Sequence, residues 1–166
     1  MPDVRSDADC RRLIASLQVP LYRACFTLIY AYGLRISEAV TLPITAVDSR
    51  QMVLHVIGKR NKERILPLTE SILQMLREVW KTHRSRRWLF PSRRPATHLS
   101  DATARAAFIK ARDACGFSSR FGPHSLRKTS AYCTTFRRIA YFQGNSCCPG
   151  VGFRSWRPWW TASTAA

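Results

Sequence analysis

Acidic side chains are scarce in this chain, and the scarcity is uneven. Its 166 residues hold 10 Asp+Glu against 27 Lys+Arg, a formal net charge of +17. All of the acids lie at or before Asp113, and no leucine follows Leu126. Such an imbalance disfavours cationic partners and favours a polyanion, nucleic acid foremost. The six cysteines (Cys10, Cys25, Cys115, Cys133, Cys147 and Cys148) form no C-x-x-C pair and take no ligand spacing with the four histidines, which argues against a zinc site. Long apolar runs are missing too. Leu21–Leu34 is interrupted by Arg23 and is too short to cross a bilayer, and Met1–Ala15 lacks the apolar stretch of a secretory signal. The expectation is a reduced, cytoplasmic protein with no membrane partner. Hydrophobic content of 46% is enough for one folded domain with a sizeable core, and excludes wholesale disorder.

What is present is organised around Ala31–Leu42, AYGLRISEAVTL. Gly33 suits the left-handed turn that ends an apolar helix. Ile36, Ala39 and Val40 then recur at helical spacing, so Arg35 stands at a fixed junction between two helices. A guanidinium there can fork onto two oxygens of a phosphate, or can simply pair with Glu38 on the surface.

Along the chain, Asp7 or Asp9 is expected to cap a short first helix carrying Leu13, Ile14 and Leu17. Pro20 opens the next helix, with Leu21, Cys25, Leu28, Ile29 and Tyr32 on one stripe. Pro43 and Asp48 mark a loop. Met52–Ile57 and Glu63–Leu68 read as two strands of a hairpin, with Lys59, Arg60 and Lys62 at or beside its tip. Thr69 caps a helix whose Ile72, Leu73, Leu76, Val79 and Trp80 face inward. Basic clusters follow, with Arg86, Arg87, Arg93 and Arg94 read as nucleic-acid contacts. Ser100 and Asp101 open a helix that ends at Gly116, and Pro123 opens the last one, which also carries Lys128, another candidate nucleic-acid contact. His124 and Arg127 stand at i and i+3 on that helix and can reach one point.

Arg35, Lys59, His124 and Arg127 together suggest phosphoryl transfer. Two arginines can neutralise a pentacoordinate phosphorus, a histidine can hydrogen-bond it, and a hairpin lysine can protonate the departing oxygen. Cationic side chains then do the electrostatic work of a metal, so no metal and no cofactor is expected, and no small-molecule substrate. GLRISE (Gly33–Glu38), GKRNKERILPL (Gly58–Leu68), LFPS (Leu89–Ser92) and HSLR (His124–Arg127) resemble, in order, the catalytic domain of the tyrosine recombinases, the phage-integrase family, in an Xer-like form. The resemblance implies an α+β fold, mostly helical with a small antiparallel hairpin or sheet. It also implies double-stranded DNA as partner, homo-oligomers on DNA, and site-specific recombination and integration. It makes Arg35 and Arg127 the two catalytic arginines, Lys59 the hairpin lysine, His124 the histidine, and Glu38 a supporting acid.

Two departures from the family pattern shape the expectation. The catalytic-type domain is expected over residues 1–131, with no N-terminal core-binding domain before it. Residues 132–166 read as an atypical tail, out of frame with a once-normal ending: Trp, Cys and isolated Gly or Pro appear without periodicity. The position where the family carries its nucleophilic tyrosine falls near Trp159 and Trp160. Tyr141 is the remaining candidate nucleophile, a doubtful one, and Tyr132 a poorer one. Two functions therefore stay open, a recombinase and a DNA-binding remnant that cannot cut. A type IB topoisomerase shares the chemistry but not the Xer-like wording, and a packaging protein does not explain the ordered motifs.

Overall fold

The computed structural model describes residues 6–58, 63–93 and 97–132, with side chains as far as Thr129. Beyond its first residue (Tyr132), the expected tail lies outside the described residues, as do the tip residues Lys59, Arg60 and Lys62, Arg94 and Tyr141. The architecture is α+β and mostly helical, as the sequence predicts. Helix α1 (Asp7–Ser16) is followed by α2 (Pro20–Tyr32) and a short α3 (Ile36–Val40), then by a 3-10 turn at Ile44–Ala46. Strands β1 (Val47–Asp48), β2 (Val53–Ile57) and β3 (Glu63–Pro67) form an antiparallel sheet in sequence order. Helices α4 (Glu70–His83), α5 (Asp101–Ala114) and α6 (Pro123–Tyr132) complete it. Among the described residues no helix is long and apolar enough to cross a membrane.

The core is built on α2. The stripe expected from the sequence understates its burial, since every residue from Ala24 to Tyr30 is buried. That follows from its neighbours: α1, α3, α4 and α6 all pack on it, so an amphipathic helix with one wet face would not suffice. Phe26 meets Phe108 of α5 with ring centroids 5.3 Å apart, and Phe108 meets Phe121 edge-on at 5.7 Å. This aromatic chain seats α5 and the lead-in to α6 against the central helix.

Local chemistry explains the element ends. Ser6, rather than Asp7 or Asp9, caps α1: its Oγ accepts from the Asp9 N–H at 3.1 Å, while the two acids occupy the first turn and favour its positive end. Pro20 opens α2, and Gly33 closes it with φ 65°, a backbone state that a Cβ would strain. Thr69 and Ser100 cap α4 and α5. The expected loop at Asp48 in fact holds a third strand, β1, pairing Val47 with Leu54 and Asp48 with Val53. Its two residues are too few to show a period in sequence. In the β2–β3 hairpin His55 faces Ile65 and Ile57 faces Glu63.

Candidate phosphate-binding cleft

Arg35 is the N-cap of α3, and Glu38 is its third residue. The Arg35 backbone N–H donates to Glu38 Oε2 at 2.9 Å, and the Arg35 guanidinium Nη1 donates to Oε1 at 3.0 Å. A second guanidinium reaches the same carboxylate from the sheet: Arg64 Nη2 of β3 donates to Oε2 at 2.7 Å. The Glu38 side chain is 6% exposed, whereas Arg35 and Arg64 are 44% and 40% exposed. Burial pushes the Glu38 carboxyl up, but the Arg35 N–H, the Arg35 guanidinium and the Arg64 charge outweigh it and hold it below its ordinary range. One buried anion thus fixes Arg35 and ties it to β3, the strand that follows the hairpin tip. The pairing of Arg35 with Glu38 is observed, and it engages one Nη of a guanidinium that remains 44% exposed.

Arg127 reaches the α2–α3 corner from α6. Its Nε donates to the Gly33 carbonyl at 2.9 Å, joining α6 to the turn that presents Arg35. That bond orients the guanidinium plane and, among the described residues, leaves its Nη groups for a ligand. Arg35, His124 and Arg127 line one cleft of about 330 Å³, together with Ser37, Asp101 and Arg105. His124 stands on the first turn of α6, three residues ahead of Arg127 on the same helical face. Two arginines and an imidazole converging on a concave surface suit a tetrahedral oxyanion, with forked donors for the non-bridging oxygens.

The sheet is locked to the helical corner a second time. Tyr32 Oη, at the end of α2, donates to the Pro67 carbonyl of β3 at 2.8 Å. Burial of the phenol pushes its pKa up to about 12, so it stays a donor at any ordinary pH. Cys25, buried in α2, is also pushed up to about 12, first by burial and then by the charge of Asp101. A thiol so placed is inert packing.

The other residues expected to touch DNA fall elsewhere. Arg86, Arg87 and Arg93 lie in the connection between α4 and α5, and Lys128 lies on α6. Arg87 stacks over the Trp88 ring at 5.0 Å, which gives it a fixed orientation that the sequence did not announce. None of these four lines the cleft. Conversely, sequence reasoning missed Arg64, Asp101 and Arg105. Arg64 lies 26 residues from its carboxylate, a separation no local period reports. Asp101 and Arg105 look in sequence like an ordinary solvated pair on a helix.

The profile of the Phage integrase family matches residues 8–133. The chain belongs to the phage integrase family. Tyrosine recombinase XerD of Rhizobium meliloti is 34% identical over 119 residues, covering 65% of this chain and 36% of that protein. The Sinorhizobium fredii protein y4qK is 36% identical over 132 residues, covering 79% of this chain and 43% of the relative. The crystal structure of XerA recombinase superposes with a TM-score of 0.67 at 25% identity, covering 86% of this chain and 54% of that one. The chain spans about half the length of the curated relatives it matches, 43% of y4qK and 51% of y4eF. As a member of the phage integrase family it has the tyrosine recombinase catalytic-domain fold over the described residues, with the Arg35–His124–Arg127 cleft at the α2–α3 corner.

Proposed function

We propose that this chain is a duplex-DNA-binding recombinase domain whose cleft holds a backbone phosphodiester between Arg35 and Arg127, with His124 hydrogen-bonded to the same phosphate. The observation that carries the reading is the bond from Arg127 to Gly33. It brings a guanidinium from α6 beside one that lies at the start of α3, although 94 residues separate Arg127 from Gly33. In this reading Lys59, carried beyond β2, is the acid for a departing 5′ oxygen, and Glu38 positions Arg35 rather than touching DNA. The chemistry this cleft serves when a tyrosine nucleophile is present is site-specific strand exchange without a metal, with a homo-oligomer on DNA as the working assembly. Residues 1–131 form the catalytic-type domain. Arg60, Lys62, Arg86, Arg87, Arg93, Arg94 and Lys128 supply further non-specific attraction.

The chain by itself holds DNA and does not cut it. The sequence supports this half of the reading: the nucleophile position falls on Trp159 and Trp160, and an indole cannot attack phosphorus. In this reading residues 132–166 are out of frame with a once-normal ending, which would account for that substitution.

Two measurements test the proposal together. Affinity for duplex DNA should fall steeply as salt rises, because cationic contacts release counterions, and Arg127→Ala should weaken it modestly. Incubation with a nicked suicide substrate should leave no covalent protein–DNA adduct. An adduct that disappears in Tyr141→Phe would instead establish a working enzyme with Tyr141 as its nucleophile.

A further inference from the structure

The cleft contains two opposite charges to which neither the motifs nor the proposed chemistry gives a role. Asp101 and Arg105 stand at i and i+4 on α5, and both line the cleft with Arg35, His124 and Arg127. Their backbone is held firmly. Ser100 Oγ accepts from the Thr103 N–H at 3.1 Å, Ala104, Phe108 and Ala111 are buried, and α5 packs on α1 and α3. An acid four residues ahead of an arginine suits a helical ion pair. Among the described residues, however, neither side chain forms an ion pair or a hydrogen bond.

The three arginines of the cleft are therefore not equivalent. Arg35 commits Nη1 to Glu38, and Arg127 commits Nε to the Gly33 carbonyl. Arg105 is exposed on α5 and, among the described residues, keeps its whole donor fork. A nucleic-acid strand crossing the cleft presents successive phosphates, so a guanidinium based on a different helix meets a different phosphate. The carboxylate beside it repels the same strand and weakens the attraction of the cleft.

We propose that Arg105 binds a backbone phosphate of its own, adjacent to the one taken by Arg35 and Arg127, and that Asp101 opposes it. Arg105 is then a substrate-positioning residue that fixes the course of the strand through the cleft. This rests on the DNA reading given above.

The test is the salt dependence of affinity of the full chain for a short duplex. Arg105→Ala should flatten the slope of log affinity against log salt by about 0.9, the value for one phosphate contact. Arg105→Lys should restore the slope while recovering only part of the affinity, since a point charge replaces a fork. Asp101→Asn should tighten binding. Arg50→Ala removes the same charge from the β1–β2 turn and should leave the slope unchanged. A wild-type slope in Arg105→Ala, an equal fall in Arg50→Ala, or looser binding by Asp101→Asn overturns the assignment and leaves the DNA reading standing. Absence of salt-dependent binding by the wild type overturns both.

Discussion

Two carboxylates meet strand β3, and they could hardly be more differently employed. Glu38 comes from α3, is 6% exposed, and accepts from the Arg35 backbone, the Arg35 guanidinium and Arg64. Glu63 begins β3, is 60% exposed, and meets His55 across the hairpin at 2.8 Å. The first is the fixed point from which a cleft arginine is presented. The second is a surface pair of the kind that water and salt largely level. Burial and number of partners, rather than distance, separate them, since both make contacts shorter than 3 Å.

The comparison breaks most sharply at Glu38 itself. Glu38→Ala strips a buried acceptor from three donors at once. Breaking a buried pair costs about 3–5 kcal/mol, and the partial exposure of both arginines reduces this to about 2 kcal/mol. Urea denaturation measures it, and a loss below about 0.5 kcal/mol would put Glu38 in the class of Glu63.

Acid provides the next distinction. The folded Glu38 carboxyl titrates below its unfolded counterpart, which lies near about 4.3. In the window between the two values the unfolded chain binds more protons, so stability falls as pH falls. The Glu38 contribution is complete above about pH 5 and is lost on acidification through the folded value. Glu38→Gln should therefore start lower and show a shallower acid loss than the wild type in urea midpoints taken from neutral pH downward. Parallel curves would refute it.

Arg64→Ala sharpens the comparison from the other partner. It leaves Glu38 bonded to Arg35 and should cost about 1 kcal/mol, half the effect of losing the acid. The smallest effect belongs to Glu63→Gln, expected to change stability by less than about 0.5 kcal/mol and DNA affinity by a small gain from the removed negative charge. A larger loss than that of Arg64→Ala would reverse the ranking on which the account depends.

Much of the corner that carries the site is legible in the amino-acid order alone. Gly33 ends one helix and Arg35 begins the next because an apolar stripe stops at a residue free to take positive φ and restarts three residues on. His124 and Arg127 share a helical face by spacing alone. What stays illegible depends on long separations or on alternatives that look alike in sequence. The Arg64–Glu38 bond and the Arg127–Gly33 bond join residues far apart in the chain. The third strand, β1, is too short to carry a pattern. Ser6 is easily overlooked as the α1 cap because Asp7 and Asp9, equally good cap residues by type, lie just after it. Asp101 and Arg105 cannot be told from a solvated helical pair until the cleft places them beside Arg35 and Arg127.

The central claim is that Arg35 and Arg127 together take a DNA phosphate, and the arginine Nε–H resonances test it most directly. Assigned in nitrogen-15-labelled protein, these signals should be titrated with a short duplex at low salt. The account predicts that the Arg35 and Arg127 signals move together and saturate at the same DNA concentration. Arg127 should keep the slow solvent exchange expected of an Nε–H bonded to the Gly33 carbonyl. Shifts confined to Arg86, Arg87 and Arg93, with Arg35 and Arg127 unmoved at saturation, would contradict it.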